Sequence, residues 1–580
     1  MMTTAGIPDS RKQDRPTRRY IGIALAIILF GLLLQVRSVC FERVIDDDDL
    51  ILHADQRGCG PNPIECFHHT VFQLYYRPLF TATFAVGDHL HTRDPIWYHL
   101  ENLALHVVVC GLGFWFFYLL FARERPALLA GLIFTLHPLQ VTAVTWIGGR
   151  PDSMALFFLL LFSIGAWNAA RTSAISPQSK APYGWLLLSL LAYTGAVFTK
   201  EQCISLLLTL PFLLWGPGRS IPRKLRPWLS LYLLPVSLYI IAAKQIIPFA
   251  SVSPPGWSAL LHVEMIGRTL WYFQHLLALP TVGPIHQSTL GPWDIPQPAA
   301  AGAGYLLAAL WIALVWRLRR NPALRFCALW TTLTLLPCLN IIPIPSQFAS
   351  SYRAVIPLLG VAGLLGAALD KMQAWSQSST RSRQPWMGWA VVVGIFAYYS
   401  GVTLADVGNW RNNTTLMLAE IDGDPNFVPA YHGLGFQAEK KGDGQQVDWK
   451  QVEQDFGTVI SRIVPPLRPG ESFVQAVDSP ACQRTLWSQS GLRYHPHAYL
   501  EMILPHRGWA REKQGHFTAA AEDFRWALLL DPTNDNSRAN LRTCYLSNGR
   551  VNEALALYPR AAETLPLRYP GSGGSTPKKR

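Results

Sequence analysis

The sequence predicts an all-α protein in two parts: a polytopic bundle of about eleven transmembrane helices and, after it, an α-solenoid of helical repeats. Three observations predict this fold class. Half of the 580 residues are hydrophobic and only 15% are charged, whereas soluble proteins carry roughly 25% charged residues. Apolar runs long enough to cross a bilayer recur up to about residue 404. A repeat with a helical period follows them.

The charge density of the chain changes at about residue 405. Residues 1–404 hold 30 Lys and Arg and 18 Asp and Glu, whereas residues 405–580 hold 20 and 19. The second part therefore has the charge density of a soluble domain, and the basic excess belongs to the apolar part. Because no basic stripe interleaved with aromatic residues is present, we expect the lipid bilayer as a partner and no nucleic acid.

The apolar runs and the basic residues between them predict a topology. The runs lie at 20–36, 103–121, 127–147, 153–169, 184–199, 202–216, 228–247, 300–316, 326–342, 354–369 and 386–404. With a cytoplasmic basic N-terminus (1–19), 20 of the 30 basic residues fall in that terminus and the cytoplasmic loops, as the positive-inside rule requires. The membrane domain is then 20–404, and its large first loop, 37–102, lies outside. A weaker run at 260–280 contains Glu264 and Arg268 and is predicted to be interfacial or re-entrant, since charges inside a bilayer are costly.

The second part contains a repeat. Residues 501–566 show self-similarity at 34 residues, the period of tetratricopeptide repeats. Small and aromatic residues recur at matching positions: Ala520, Phe524 and Ala527, then Ala554, Tyr558 and Ala561. We predict a repeat domain at 405–566 with a polar insert at 442–497, then a disordered tail at 567–580. Such arrays leave a concave groove for peptides or helices, so we expect this domain to bind an acceptor and the chemistry to reside in 1–404.

The nine cysteines predict no metal site, because neither a CxxC motif nor a Cys/His zinc spacing occurs. Cys59 and Cys66 lie seven residues apart in the first loop and are predicted to form a local disulfide in an oxidising compartment. Cys482 and Cys544 are a weaker candidate pair.

Ionisable residues recur at the predicted outer membrane boundaries. The acidic segment Asp46–Asp49 follows the first span. Its adjacent carboxylates repel one another, which raises at least one pKa unless a cation intervenes. A solvated loop or a calcium-type oxygen site is the alternative. Arg150 and Asp152, Lys200 and Glu201, and Arg353 follow at later boundaries. Their common side predicts one polar site at the interface.

These residues, in this order and spacing, resemble a known family. The matching segments are Asp46–Asp49, Arg77–Leu79, Tyr98–Leu103, His137–Gln140, Gly149–Asp152, Lys200–Gln202 and the Arg353 region before Pro357. They resemble the GT-C membrane glycosyltransferases, and most of all the protein O-mannosyltransferase-like proteins with C-terminal tetratricopeptide repeats. The sequence departs from that family at Thr142, where an acidic residue is frequent, and in the insert at 442–497.

The resemblance implies an inverting, metal-independent enzyme without a cofactor, in which a divalent ion at Asp46–Asp49 is not required. The implied donor is a polyprenyl- or dolichyl-phosphate sugar, mannose-like, and the acceptor is a protein or glycan held by the repeat groove. The implied base lies among Asp46, Asp47 and Asp48, with the register favouring the last two. The cations for the lipid phosphate are Arg353, Lys200 and Arg150, and the supporting polar residues are Asp152, Glu201, His137 and Arg77.

Two other functions remain open at this point. One is a non-catalytic, membrane-anchored scaffold whose repeats recruit partners outside the cytoplasm. The other is a transporter, which the sequence disfavours because it lacks paired broken helices at mid-span. For the glycosyltransferase, the active site and the repeats are expected in the periplasm or lumen, with a bacterial inner membrane preferred.

Overall fold

The structure is a computed structural model. It describes residues 16–53, 57–72, 75–176, 178–215, 221–247, 258–281, 286–287, 297–341, 349–378, 386–440, 447–490 and 496–557. The predicted fold class is confirmed, because helices account for nearly all regular structure in these ranges and the two named strands have two residues each. The predicted tail at 567–580 and most of the basic N-terminus lie outside the described residues.

The first part of the chain contains fifteen of the described helices and a two-stranded sheet. The helices are α1 (Arg18–Gln35), α2 (Asp47–Ile51), α3 (Pro78–Leu90), α4 (Pro95–Phe121), α5 (Glu124–Leu136), α6 (Gln140–Val144), α7 (Arg150–Ile175), α8 (Ala181–Thr199), α9 (Leu210–Trp215), α10 (Leu233–Ile246), α11 (Ala259–Ala278), α12 (Pro298–Leu318), α13 (Pro322–Leu335), α14 (Val355–Ser378) and α15 (Trp386–Asn409). The strands β1 (His286–Gln287) and β2 (Ala349–Ser350) pair antiparallel. Short 3₁₀ helices lie at Val36–Cys40, Glu65–His68, Ile147–Gly149, Glu201–Thr209, Arg223–Tyr232, Leu336–Cys338 and Ser351–Ala354.

Eight helical segments in the described ranges are long and apolar enough to cross a membrane. They are Arg18–Cys40, Pro95–Phe121, Ile147–Ile175, Ala181–Thr199, Arg223–Ile246, Pro298–Leu318, Ser351–Gln377 and Trp386–Asn409. They coincide with eight of the eleven predicted runs. The other three runs, 127–147, 202–216 and 326–342, are helical but interrupted, beside Pro138, Pro211 and Pro337 respectively. Proline removes a backbone donor and obstructs the preceding turn, which accounts for the interruptions. Hydropathy does not register them, because the runs stay apolar throughout.

The weak apolar run at 260–280 forms one continuous 20-residue helix, α11. Gly267 lies against α12, where a Cβ atom would stand 2.7 Å from the Ala301 carbonyl oxygen. Gly304 approaches even closer to the Gly267 carbonyl. Small residues allow such close helix packing in membranes. Arg268 lies on this helix and is buried within the first part of the chain.

Nine described helices follow the last membrane segment. They are α16 (Asn413–Gly423), α17 (Val428–Lys440), α18 (Trp449–Ile463), α19 (Phe473–Val477), α20 (Pro480–Ser490), α21 (Pro496–Lys513), α22 (Phe517–Leu530), α23 (Asp535–Ser547) and α24 (Val551–Ala556). Each of α17, α18, α21, α22 and α23 packs against the next in this series. Residues Ala520, Phe524, Ala527 and Ala554, predicted to pack between helices, are fully buried. Helix α18 lies within the predicted insert but packs between α17 and α21.

The two cysteine predictions have different outcomes. Cys59 and Cys66 are disulfide-bonded, so the predicted pair is confirmed. Cys482 and Cys544 are buried free thiols, so the second pairing is wrong. Each sits in its own hydrophobic cluster, Cys482 around α18 and α21 and Cys544 around α22 and α23. Burial as small apolar side chains accounts for both.

Candidate functional site

The candidate site begins with Asp47, which is fully buried at the start of α2. Its carboxylate accepts hydrogen bonds from the backbone N–H groups of Val44, at 3.0 Å, and Gly148, at 2.9 Å. Burial, and then the adjacent Asp46 carboxylate, raise the pKa of Asp47 well above its ordinary value, although the two backbone donors oppose this. Asp47 therefore ties the acidic segment to the turn that precedes α7.

The other carboxylates of the acidic segment have different surroundings. Asp48 Oδ1 lies 2.5 Å from Arg43 Nε, and Asp49 Oδ1 lies 3.1 Å from His53 Nδ1; both acidic side chains are nearly half exposed. Asp46 is half-buried and accepts a hydrogen bond from the indole Nε1 of Trp146 at 3.2 Å. The three side chains thus point to three separate partners.

Trp146, which donates to Asp46, packs against two further aromatic rings. The Trp146 ring is 5.8 Å from the Tyr352 ring and 6.2 Å from the Trp410 ring, measured between centroids. We call Trp146, Tyr352 and Trp410 the aromatic wall. At Gly148, a Cβ atom would stand 2.7 Å from the Trp146 ring and 2.8 Å from Asp46 Oδ1. Glycine is therefore required for the indole and the carboxylate to meet.

The backbone just before Asp46 has a conformation that is rare for its residue type. Ile45 has a φ of +54°, a region that β-branched residues seldom adopt. Its N–H donates to the Asn413 side-chain oxygen at 2.8 Å, and Asn413 is the first residue of α16. Strain of this kind persists only where neighbouring contacts impose it, and it is frequent at functional sites. The position of Asp46 thus depends on a helix from the second part of the chain.

Three ion pairs form what we call the paired cluster: Arg77–Glu201, Lys200–Asp152 and Arg150–Glu101. Arg77 donates twice to Glu201, through Nε at 2.9 Å and through Nη2 at 2.5 Å. Although burial alone would raise it, the Arg77 guanidinium lowers the pKa of Glu201 to about 2. Lys200 Nζ lies 2.5 Å from Asp152 Oδ1, and both side chains are only 3% exposed.

Arg150 is the third cation of the paired cluster. Its Nη2 lies 2.8 Å from Glu101 Oε2, and its Nε donates to Asn102 Oδ1 at 2.7 Å. The guanidinium also stands 4.8 Å from the centre of the Phe84 ring. Sequence reasoning named Arg150 but missed Glu101 as its partner, although Glu101 lies in the segment 98–103 that carries the family resemblance.

Arg353 and Lys200 both lie near the ring of Tyr352. The Arg353 guanidinium is 5.9 Å and Lys200 Nζ is 5.3 Å from the centre of the Tyr352 ring. Gln202 donates to the backbone oxygen of Arg353 at 3.1 Å. The predicted boundary residues after α8 and before α14 therefore lie together, next to the aromatic wall.

His137 is fully buried where α5 ends. Its Nδ1 accepts a hydrogen bond from the Leu139 N–H at 3.2 Å, and its ring is 4.8 Å from that of Tyr399. Because a residue before proline is driven toward extended backbone, His137 closes the helix and shapes the turn that follows. Its contacts are those of a positioning residue.

A cavity of about 330 Å³, which we call the site cavity, lies beyond the aromatic wall. Trp410 and Ser351 line it, as does Thr142, the position where the family often has an acid. Its polar lining also includes residues that sequence reasoning did not assign to the site, among them Arg268, Tyr272, Asp406 and Glu420. One signal was present in the sequence, since a charged residue within a predicted membrane segment is by default a functional candidate.

The carboxylates of the site do not gather around one point. Within the ranges described above, no group of three or more His, Cys, Asp or Glu side chains has an arrangement that could hold a metal ion. The residues that sequence reasoning assigned to the site form two neighbouring sets. Asp46 and Asp47 lie by Trp146 and Gly148, whereas Lys200 and Arg353 lie by Tyr352. Arg150 is linked to the first set, because its partner Asn102 donates to the Trp146 carbonyl at 3.0 Å.

Three proteins that are similar to this chain are described as protein O-mannosyl-transferases. Over 407 residues the chain is 24% identical to protein O-mannosyl-transferase TMTC3 of Mus musculus, a match that covers 63% of this chain and 42% of that protein. The chain resembles the protein O-mannosyl-transferases. Human TMTC4 is 28% identical over 202 residues, covering 30% of this chain and 27% of its own. Human TMTC2 is 34% identical over 139 residues, covering 24% and 16%.

These matches confirm the resemblance inferred from the motifs, and the chain spans less than half the length of each of these relatives. No family model matches the chain. Among solved structures, it is similar to the crystal structure of the Archaeoglobus fulgidus oligosaccharyltransferase tethered with an acceptor peptide, with 12% identity, a TM-score of 0.39, and coverage of 88% of this chain and 72% of that one. The eight apolar helices and the membrane-enzyme relatives together identify an integral, multi-pass membrane protein.

Proposed function

We propose that the chain is a membrane glycosyltransferase that transfers a mannose-like sugar from a polyprenyl-phosphate donor to a hydroxyl group of a protein or glycan. The observation that carries this proposal is the environment of Asp46. Its carboxylate is half-buried, is oriented by the Trp146 indole, and borders the aromatic wall beside the site cavity. Aromatic faces suit sugar rings, and an oriented carboxylate suits proton abstraction.

In the proposed reaction, Asp46 accepts the proton of the acceptor hydroxyl. The acceptor oxygen forms a bond to the anomeric carbon of the sugar from the face opposite the lipid phosphate. The bond from the anomeric carbon to the phosphate oxygen breaks, and its electron pair stays on the phosphate. The product has inverted configuration, the proton resides on the carboxyl group, and the step requires no metal and no cofactor.

The environments of the neighbouring carboxylates support Asp46 over Asp47 and Asp48. Asp47 is fully enclosed and bound to two backbone amides, so its carboxylate holds the turn. Asp48 faces Arg43 at the loop surface. Asp46 is the member of the acidic segment that borders the aromatic wall.

The departing lipid phosphate requires a cation, for which Arg353, Lys200 and Arg150 were expected. Lys200 and Arg150 each have a buried carboxylate or amide partner in the paired cluster, which favours a structural role for both. Arg353 lies beside Tyr352, two residues from the cavity-lining Ser351. We therefore assign the phosphate to Arg353 among these three.

We propose a single side of the membrane for the whole reaction, periplasmic or lumenal, with the repeats on that side and the N-terminus in the cytoplasm. The contact between Asn413 and Ile45 supports this, because it joins the first loop to the first helix after the last membrane segment. The basic residues between the apolar runs favour the same orientation, and a bacterial inner membrane is the preferred location. The repeat groove is the proposed binding surface for the acceptor.

The test measures sugar transfer by the purified full-length chain in phospholipid vesicles with polyprenyl-phosphate mannose. Asp46→Asn should lower transfer by about 10²- to 10⁴-fold, the usual contribution of a positioned base, with unchanged thermal stability. Asp48→Asn is the matched control and should retain most of the activity. Asp47→Asn should lower stability and transfer together, because it disturbs a buried, doubly bonded group.

Two outcomes would contradict the proposal. Transfer by Asp46→Asn at the wild-type rate would exclude Asp46 as the base. A wild-type chain that transfers sugar from none of the polyprenyl-phosphate donors, but binds partners through its repeats, would favour the scaffold function.

A further inference from the structure

Arg268 is the least satisfied buried cation in the described part of the chain. Its side chain is 1% exposed, and its three guanidinium nitrogens make no hydrogen bond to any described residue. Glu264 Oε1 lies 3.5 Å from Nη1, one turn earlier on α11, and accepts a hydrogen bond from the Gln297 N–H instead. Burying a charge without hydrogen-bond partners is costly, so such a group calls for a ligand.

The same face of α11 carries a second unsatisfied group. Tyr272 lies four residues after Arg268, which places both on one side of the helix. Its hydroxyl is buried and makes no hydrogen bond to any residue in the described ranges. Both side chains line the site cavity. The cavity thus presents a five-donor guanidinium and a hydroxyl that also donates, a set that matches the oxygens of an anion.

The other polar groups of the cavity indicate what accompanies the anion. Two carboxylates, Asp406 and Glu420, line it together with the single guanidinium of Arg268. The hydroxyl groups of a sugar donate hydrogen bonds to carboxyl groups, so this lining suits a sugar better than a bare phosphate. A volume of 330 Å³ lies at the lower end of ligand pockets, which span about 300–1,000 Å³.

We infer that the site cavity binds the phosphosugar headgroup of a polyprenyl-phosphate sugar, with Arg268 and Tyr272 on the phosphate and Asp406 and Glu420 on the sugar hydroxyls. This inference rests on the proposed function for the identity of the ligand. Tyr272 is near enough to Arg353 and Glu420 to feel both charges. In this inference Arg353, two residues from the cavity-lining Ser351, shares the phosphate with Arg268. Trp410 lines the cavity and packs on Trp146 in the aromatic wall.

The experiment measures binding without turnover, using the full-length chain in lipid nanodiscs. The reagents are a polyprenyl-phosphate mannose, the same polyprenyl phosphate without sugar, mannose 1-phosphate, inorganic phosphate, and the unphosphorylated polyprenol. We expect affinity in the order given for the first two, weaker binding of mannose 1-phosphate, and no saturable binding of inorganic phosphate or polyprenol. The comparison separates a lipid headgroup from a free phosphate.

The variants assign the phosphate to its ligands. Arg268→Gln should weaken binding of both phospholipid reagents by about 10- to 100-fold, as for the loss of a hydrogen-bonded charge. Arg268→Lys should recover part of it, because lysine keeps the charge and loses the planar fork. Tyr272→Phe removes one hydroxyl and should weaken binding about two- to tenfold. Arg125→Gln is the matched control, since Arg125 pairs with Asp370 at 3.4 Å at the other end of α5, and its binding should equal the wild type.

The possible results distinguish this inference from the proposed function. Wild-type affinity in folded Arg268→Gln and Tyr272→Phe would overturn the inference, whether or not the chain transfers sugar. Arg268-dependent binding in a chain that transfers nothing would support the inference and refute the proposed enzyme. Failure of the wild type to bind either phospholipid reagent would overturn the inference as well. If Arg268→Gln does not fold, Tyr272→Phe and Arg268→Lys decide between these results.

Discussion

The paired cluster and the site cavity both bury charged groups. They differ in whether the buried cations have hydrogen-bond partners. In the paired cluster each cation has a partner within 3 Å, such as Asp152 for Lys200. In the site cavity the Arg268 guanidinium makes no hydrogen bond to any described residue. A buried pair that satisfies itself has little left for a ligand, whereas an unsatisfied group needs one. From this comparison we expect the first region to contribute stability and the second to contribute binding.

The largest effect should come from breaking the paired cluster. Lys200→Met leaves the Asp152 carboxylate buried without its partner, which typically costs about 3–5 kcal/mol. We expect a large drop in the thermal midpoint of the chain in detergent. The double variant Lys200→Met with Asp152→Leu should recover most of this loss, because apolar replacement of a whole buried pair is often neutral.

The same experiment can contradict the structural role expected for the paired cluster. If Lys200→Met keeps wild-type stability but binds polyprenyl phosphate more weakly, Lys200 is a phosphate ligand, as the family resemblance implied. Arg77→Met provides a second reference, since its partner Glu201 is 40% exposed and the loss of that pair should cost less.

Removing the disulfide of the first loop should have a smaller effect on stability than breaking the paired cluster. The Cys59–Cys66 disulfide closes a short loop, and Arg57 donates to the Cys59 carbonyl at 2.9 Å while pairing with Asp88 at 2.7 Å. Replacing both cysteines with serine should lower stability by about 2–3 kcal/mol, the loop-entropy value for such a short closure. Binding of polyprenyl phosphate should not change, because this loop does not line the site cavity. Weaker binding with unchanged stability would show that the two regions are coupled.

The outcome for individual residues shows how far sequence reasoning reaches. Long apolar runs and the 34-residue period depend on local chemistry, so they gave the helical fold, the buried Ala520 and Phe524, and the boundary motifs at Arg150, Lys200 and Arg353. The motif charges could not reveal their own partners: the pairing of Lys200 with Asp152 depends on how α7 and α8 pack. A motif charge is therefore a candidate for stability before it is a candidate for binding.

The site cavity was not predictable in the same way. Its lining comes from α11, the turn after α5, and α15 and α16, which are far apart in sequence. The charges of Arg268 and Glu264 predict an interfacial or re-entrant position for 260–280, and their place in a cavity does not follow from them. Glu420 lies in the predicted repeat domain, 405–566, for which the sequence predicts a part in acceptor recognition and no part in the chemistry. Tertiary packing, and not the local pattern, brings these residues to one cavity.

The variant with the smallest expected effect on stability tests whether the second part of the chain helps to position Asp46, the proposed base. The Asn413 side chain accepts the Ile45 N–H at 2.8 Å, and Ile45 has positive φ directly before Asp46. Asn413→Ala removes one hydrogen bond, worth about 1 kcal/mol, so the thermal midpoint should hardly move. Release of the strained backbone should displace Asp46 and lower sugar transfer about tenfold, while polyprenyl-phosphate binding at Arg268 persists.

Asn426→Ala is the matched control, because Asn426 accepts a hydrogen bond from Arg462 within the second part of the chain and lies away from the acidic segment. Equal transfer by both variants would mean that the acidic segment keeps its position without α16.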